Sequence, residues 1–296
     1  MTTASRSLKV GLTQWHATTD IDGNLEVALR LIERAAADGA SVVVLPENGL
    51  MLGTGVQMRE TALSIDAAPV VALCTLAQRL GVVVVLGGMK NRVADQVFNS
   101  ALVIDTSGEI VVRYDKLHLF DAHIGGQSFE ASSIERPGDR LVVVDIDGIK
   151  VGLTICYDVR FPEMFRALAG AGAEVLLVPA AFTQTTGEAH WHTLLRARAI
   201  ENHAFVVAPA TVHSPTPDHA DAFATYGHAL AVGPWGNILA DLGESAETVQ
   251  VVELDLAEVD RARAQLPVLA GRRDPRVYAS KPHLTRISTE QKELAR

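Results

Sequence analysis

The sequence predicts an α/β fold with mixed β-sheets inside and amphipathic helices outside. β-Branched runs alternate with stretches of helical periodicity, which is the pattern of strand–helix–strand units. Several of those runs, such as Val42–Leu45 and Val82–Leu86, are apolar throughout, as strands covered on both faces are. From Leu8 to Leu269 no Ser/Gly/Pro-rich linker divides the chain, so 8–269 reads as a single domain and 270–296 as a C-terminal tail.

Leu8–Thr13 opens the chain as a strand. Leu25, Ala28, Leu29, Ile32 and Ala36 recur on one stripe and make Asn24–Asp38 a helix, stopped by Gly39. The strand Val42–Leu45 follows, then a helix over Ala68–Leu80 closed by Gly81, then the strand Val82–Leu86. Cys74, beside Leu73 and Ala77, reads as a packing residue. From Val97 the rhythm turns antiparallel. Asn99–Asp105 and Ile110–Arg113 flank a Ser107-Gly108 turn, and Leu141–Ile146 and Lys150–Ile155 flank Asp147-Gly148. A helix near Phe161–Ala169, the strand Val175–Val178, a helix over Glu188–Asn202 and the strand Ala204–Ala208 restore the parallel style. Tyr226–Val232 and Ile238–Ala240 make a last hairpin, before the strand Val249–Leu254 and a helix from Ala257 to Gln265. The tail is polar and Pro-interrupted and is expected to pack along the domain or a partner subunit.

Composition excludes several classes. With 48% hydrophobic and 21% charged residues, the 296-residue chain has the balance of a soluble globular protein rather than a disordered one. A net charge of -9 and the lack of a Lys/Arg stripe argue against a nucleic-acid partner. No run approaches the ~18 apolar residues of a membrane span. Met1–Ser7 lacks the apolar segment of a signal peptide, and Cys74 and Cys156 are too few for a disulfide framework. A cytoplasmic setting that keeps its thiols reduced is the expectation.

Polar residues that could do chemistry sit where strands end, the place where open α/β sheets put their sites. Glu47 comes directly after Val-Val-Val-Leu-Pro, Lys116 follows the second strand of a hairpin, and Cys156 follows the longest apolar run. Taken singly, each has an ordinary reading: a solvated loop glutamate, a surface lysine, an inert buried thiol. Together they have a chemical logic. A carboxylate can take the thiol proton, an ammonium can offset charge on a tetrahedral intermediate, and a thiolate can form an acyl-enzyme. The histidines His118, His123, His190 and His192 show no zinc spacing. Neither a phosphate-binding glycine loop nor a GxSxG elbow is present. Trp191 and Trp235 read as packing residues.

At these three residues the chain resembles the nitrilase, or carbon–nitrogen hydrolase, superfamily, over nearly its whole length. The resemblance rests on Leu45-Pro46-Glu47-Asn48, on Tyr114-Asp115-Lys116-Leu117-His118-Leu119-Phe120-Asp121, and on Gly152-Leu153-Thr154-Ile155-Cys156-Tyr157-Asp158-Val159-Arg160-Phe161-Pro162-Glu163. It implies a four-layer α-β-β-α sandwich, commonly paired as a homodimer or built into a higher homo-oligomer, acting on a small-molecule amide with no cofactor and no metal. It also implies Glu47 as general base, Lys116 as stabiliser of the tetrahedral species and Cys156 as nucleophile. A second family glutamate, which hydrogen-bonds the lysine, maps to Glu130 in Gln127-Ser128-Phe129-Glu130. The oxyanion hole would pair Lys116 with the backbone N–H of Tyr157.

Within the superfamily the chain is similar to the amidases that act on ω-amides of 2-oxo acids, namely deaminated glutathione or 2-oxoglutaramate. The stretches that carry this include Thr186-Gly187-Glu188-Ala189-His190-Trp191, Arg196-Ala197-Arg198-Ala199-Ile200-Glu201-Asn202 and Tyr226-Gly227-His228. The chain departs from those enzymes at Asn48–Gly53 and at Gly125-Gly126-Gln127. Arg160 and Thr183 are candidate contacts for a substrate carboxylate, with a structural salt bridge an equal reading of Arg160. The alternatives are an N-carbamoyl amino-acid or polyamine amidohydrolase, a nitrile-cleaving enzyme and a binding protein without turnover.

Overall fold

The computed structural model describes residues 6–124, 126–213, 223–282 and 284–285. Along the chain come β1 (Ser7–Trp15), α1 (Ile21–Ala37), β2 (Val42–Val44), α2 (Gly55–Glu60), α3 (Ala68–Leu80), β3 (Val83–Val93), β4 (Gln96–Ile104) and β5 (Ile110–Asp115). A small hairpin, β6 (Asp121–Ile124) with β7 (Gln127–Glu130), precedes β8 (Val143–Ile146) and β9 (Ile149–Leu153). Next come α4 (Pro162–Gly170), β10 (Val175–Leu177), α5 (Gln184–Asn202), β11 (Phe205–Ala208) and β12 (Ala210–Thr211). The described chain closes with β13 (Leu230–Val232), β14 (Ile238–Asp241), β15 (Glu247–Asp255), α6 (Ala257–Gln265) and α7 (Pro275–Ala279).

Two mixed sheets result. The first runs β12-β1-β2-β3-β4-β5, with β15 antiparallel to β1, and the second runs β14-β13-β11-β10-β9-β8. β1, β2 and β3 are parallel, as are β9, β10 and β11. Period-two alternation sorts their side chains. Leu8, Val10, Leu12, Val42 and Val44 share a buried cluster with Val151, Leu153, Val175 and Leu177 of the second sheet. Val43 and Leu86 turn the other way, into a cluster with Leu31, Ile32 and Ala35 of α1 and Val70, Leu73 and Ala77 of α3. Helices α4 and α5 cover the second sheet through Phe165, Leu168, Trp191 and Leu195. The four-layer α-β-β-α sandwich is therefore the fold.

Several boundaries differ from the sequence expectation for local reasons. α1 starts at Ile21 because Asp20 caps it, accepting from Gly23 N–H. β3 does not stop at Leu86: it passes through Gly87-Gly88 as a bulge, where the register to β4 shifts and Gly88 adopts φ +151°. A Cβ at Gly87 would lie 1.8 Å from Leu45 O and 2.4 Å from Pro179 Cβ, so only glycine lets the two sheets close here. Of the two expected packing residues, Trp191 is fully buried, whereas Trp235 is exposed and packs only at the surface, stacked on the His203 ring at 5.9 Å. The described tail residues, including α7, are exposed in the single chain, and residues 286–296 of the tail lie outside the described residues. Among the described residues, no helix is long and apolar enough to cross a membrane.

Candidate active site

The two sheets deliver their strand ends to one place. Leu45 N–H still bonds Val85 O at 2.9 Å, then Pro46, which has no N–H, ends the ladder and Glu47 follows. Asn48 turns the chain at φ +53°, its N–H on Gly88 O at 2.7 Å. From the second sheet, Thr154 N–H bonds Leu177 O at 3.1 Å, and Cys156 N–H bonds Pro179 O at 2.9 Å with φ +49°. Such left-handed non-glycine residues cost about 1–3 kcal/mol each and persist where the surroundings over-determine them. Lys116 leaves β5 beside β4, its N–H on Asn99 O at 2.8 Å and its carbonyl accepting from Gly138 N–H at 2.9 Å.

Glu47, Lys116 and Cys156 converge in one buried site, centred on the Glu47 carboxylate. Lys116 Nζ donates to Glu47 Oε1 at 2.8 Å, and both side chains are 4% exposed. Asn99 Nδ2 donates to the same oxygen at 2.8 Å, and Ala181 N–H donates to Oε2 at 2.9 Å. The Cys156 thiol is buried beside this carboxylate and the Lys116 ammonium, close enough to feel both charges.

Charge states follow from these contacts. Burial pushes the Glu47 carboxyl up, but the charges of Lys116 and Lys90 and the hydrogen bond of Lys116 outweigh it and hold the group at about 2. Burial pushes Lys116 down, and Glu47 above all holds it above the ordinary lysine range. Burial and the Glu47 charge both drive the Cys156 thiol up, against Lys116. At rest the site is a carboxylate, an ammonium and a neutral thiol. It can therefore pass a proton from sulfur to carboxylate as sulfur attacks, while the ammonium faces the new charge.

Around this centre stands an aromatic wall. Tyr157 meets Phe161 at 5.4 Å and Phe120 at 5.0 Å, and Phe120 meets Phe129, which meets Phe223. The Arg160 guanidinium lies over the rings of Phe182 and Tyr157 and contacts His190 Nδ1 at 3.2 Å. Among the described residues it has no carboxylate partner, so the salt-bridge reading of Arg160 is not realised. Thr183 is buried at the N-terminus of α5, with Oγ1 2.7 Å from Thr186 Oγ1.

Glu130 is a correction. It ends the β6–β7 hairpin in an exposed position, accepting from Ser128 Oγ at 3.3 Å, and among the described residues no hydrogen bond or ion pair joins it to Lys116. Gly125 lies outside the described residues, whereas Asn48–Gly53 is buried, with Asn24 Nδ2 donating to Leu50 O at 2.9 Å. Sequence reasoning missed Asp158, fully buried and bonded to Tyr114 and His118, although its fixed offset from Cys156 was a usable signal. It also missed Lys90 and Glu135, a buried ion pair. His192 and His228 each bond a different oxygen of Asp241 at 2.9 Å, and the potential ligand atoms of the three residues lie within 4.8 Å of one another. The sequence spacing hides that cluster.

The profile of the carbon–nitrogen hydrolases matches residues 9–264. This chain belongs to that family. It is 40% identical over 266 residues to a deaminated glutathione amidase of Synechocystis sp., covering 88% of this chain and 96% of the relative. An omega-amidase of Xenopus laevis is 35% identical over 266 residues, covering 90% and 95%. Among solved structures, the Caenorhabditis elegans NitFhit protein superposes with a TM-score of 0.84 at 34% identity, over 97% of this chain and 69% of that one. An amidase variant from Nesterenkonia sp., with the acetamide moiety of fluoroacetamide on its active-site cysteine, superposes with a TM-score of 0.77 at 26% identity, over 92% and 95%. As a family member this chain is a cysteine-dependent amidase that cleaves the C–N bond of a small linear carboxamide.

Proposed function

We propose that the substrate is the ω-amide of a small 2-oxo acid, hydrolysed through a thioester on Cys156. The observation that carries the chemistry is the buried Lys116–Glu47 pair, Nζ to Oε1 at 2.8 Å, with the buried Cys156 thiol beside both charges. Sulfur attacks the amide carbon as its proton passes to Glu47. The oxyanion is held by Lys116 and by the N–H of Tyr157, which lies in the first turn of a 3-10 segment, Cys156–Arg160, where N–H groups lack helical acceptors. The C–N bond breaks as Glu47 returns the proton to nitrogen, and ammonia leaves. A water then attacks the thioester, giving its proton to Glu47, and the thiol and the acid are regenerated.

The far end of the substrate is assigned to Arg160 and Thr183. A guanidinium that has no carboxylate partner among the described residues and lies over Phe182 and Tyr157 suits a planar substrate carboxylate. The names of the relatives support a 2-oxo ω-amide. Cys74 and Cys156 are free thiols, which suits a reducing, cytoplasmic compartment. A second copy of the chain is assigned to the exposed apolar surface at Trp235 and Ile200, the latter lying against Gly236 beside Trp235.

Ammonia release from deaminated glutathione, 2-oxoglutaramate, succinamate, glutamine and an N-carbamoyl amino acid tests the reading, with Cys156→Ala as the blank. Cys156-dependent release strongest from one 2-oxo ω-amide is the expected result. Carbon dioxide together with ammonia from the carbamoyl compound would move the chain to the other hydrolase class. Sedimentation of the wild type and Trp235→Glu tests the dimer: a dimer converted to monomer is expected, and a wild-type monomer overturns it.

A further inference from the structure

A second buried ion pair lies beside the three converging residues. Lys90 Nζ donates to Glu135 Oε2, and the two side chains are 9% and 1% exposed. A buried ion pair is often no more stabilising than an apolar pair of the same volume. Its place in the register shows what it reaches. Lys90 of β3 is the antiparallel partner of Asn99 of β4, so the two side chains share a face. Asn99 is the residue that donates to Glu47, and its carbonyl accepts the N–H of Lys116. Lys90, Asn99 and Lys116 thus form one row across β3, β4 and the end of β5. Glu135 is brought to this row by the segment after β7, where Arg136 N–H bonds Val97 O at 2.8 Å.

We propose that Lys90 and Glu135 are positioning residues for the amide reaction, a charge-balanced pair that holds the Asn99–Glu47–Lys116 arrangement in place while charge moves through it. The inference rests on the amidase reading above. Glu47 is faced by Lys116 from the end of β5, Lys90 from β3, Asn99 from β4, Cys156 after β9 and the Ala181 N–H after β10. When Glu47 takes the thiol proton it loses its charge, and Lys116 loses its counter-ion as the oxyanion forms. Lys90 and Glu135 keep theirs, so the row they brace does not have to reorganise. Lys90 also holds the Glu47 carboxyl low, and Glu135 helps hold Lys116 up.

The test compares Glu135→Gln, Lys90→Arg and the double variant Lys90→Met/Glu135→Leu, which leaves no orphaned charge. Each is assayed for kcat, KM and the pH profile of kcat/KM on the 2-oxo ω-amide, beside thermal melting. The double variant is expected to fold, to lose roughly 100-fold in kcat with KM little changed, and to show an acid limb displaced upward because Glu47 has lost the Lys90 charge. Lys90→Arg should keep the acid limb and most of kcat. A folded double variant with wild-type kcat and an unmoved acid limb overturns the proposal. If the double variant does not fold, Glu135→Gln decides: lowered kcat without altered melting supports the pair, and wild-type kcat refutes it. Residual turnover in Cys156→Ala would instead sink the amidase reading itself.

Discussion

Tyr114 Oη donates to Asp158 Oδ2 at 2.6 Å, joining the residue two before Lys116 to the residue two after Cys156. His118, two residues past Lys116, reaches Asp158 Oδ1 through Nδ1 at 2.7 Å and through its N–H at 3.1 Å, while Ile155 N–H bonds Oδ2 at 2.9 Å. One fully buried carboxylate therefore clasps the lysine strand on both sides and ties it to the strained turn that carries the thiol. Buried polar networks of this kind rigidify a site only when every member is satisfied.

Removing one member should show both effects. Tyr114→Phe keeps the ring and deletes the hydroxyl, leaving Leu117 N–H without its acceptor and Asp158 with one donor fewer. A loss of about 1–3 kcal/mol in urea unfolding is expected, together with a fall in kcat of roughly 10-fold or more as Lys116 and Cys156 lose their common anchor. Lowered stability with an unchanged kcat would mean that the clasp serves the fold alone.

The depressed Glu47 carboxyl makes stability depend on acid pH with a definite sign. Its folded value of about 2 lies below its ordinary 4.5, so the group contributes stability above the ordinary value and loses it as pH falls through the folded one. Unfolding free energy should fall by roughly 3 kcal/mol from this group between about pH 5 and about pH 2. Urea titrations of wild type and Glu47→Gln over that window measure it. The variant should lack that part of the slope, and parallel slopes would contradict the assignment.

Cys156 gives a prediction that runs against simple intuition. Its thiol is held up by burial and by the neighbouring Glu47 charge, so iodoacetamide should alkylate it slowly at neutral pH and faster as pH rises. Glu47→Gln deletes one of those causes and leaves Lys116, which favours the thiolate. That variant should be alkylated faster at neutral pH than wild type while losing amide turnover. Mass spectrometry of labelled protein against time reads the rate, and slower labelling of the variant would place the proton differently.

What was legible in the sequence is what a strand end announces. Val42–Leu45 followed by Pro46 marks the ladder's stop and hence Glu47, and Ile149–Ile155 marks Cys156 in the same way. Lys90 and Glu135 were not legible, because they stand 45 residues apart and meet through cross-strand register and a loop, which apolar periodicity does not encode. The strand expected over Val82–Leu86 runs on through Gly87-Gly88, and which partners that pair approaches, Leu45 and Pro179, is set only once both sheets are assembled. Glu130 was placed by resemblance alone, and the short β6–β7 hairpin leaves it exposed, with no bond to Lys116 among the described residues.

Arg160 supplies the most direct test of substrate choice. Its guanidinium is fixed over Phe182 at 5.1 Å and Tyr157 at 5.9 Å and contacts His190. A charged hydrogen bond to a substrate carboxylate is worth about 1.5–3 kcal/mol, so Arg160→Gln should raise KM for a carboxylate-bearing ω-amide by roughly 10–100-fold with a smaller change in kcat. A neutral aliphatic amide of similar length should be turned over as before, since it never used that charge. Arg160→Lys should restore little, because an ammonium neither stacks on the two rings nor presents a planar fork. Thr183→Val should act in the same direction and more weakly, as a neutral hydroxyl contact does. Steady-state kinetics on the matched acidic and neutral amides separates these outcomes. Equal losses on both would show that Arg160 supports the pocket wall through its aromatic neighbours rather than reading the substrate's charge.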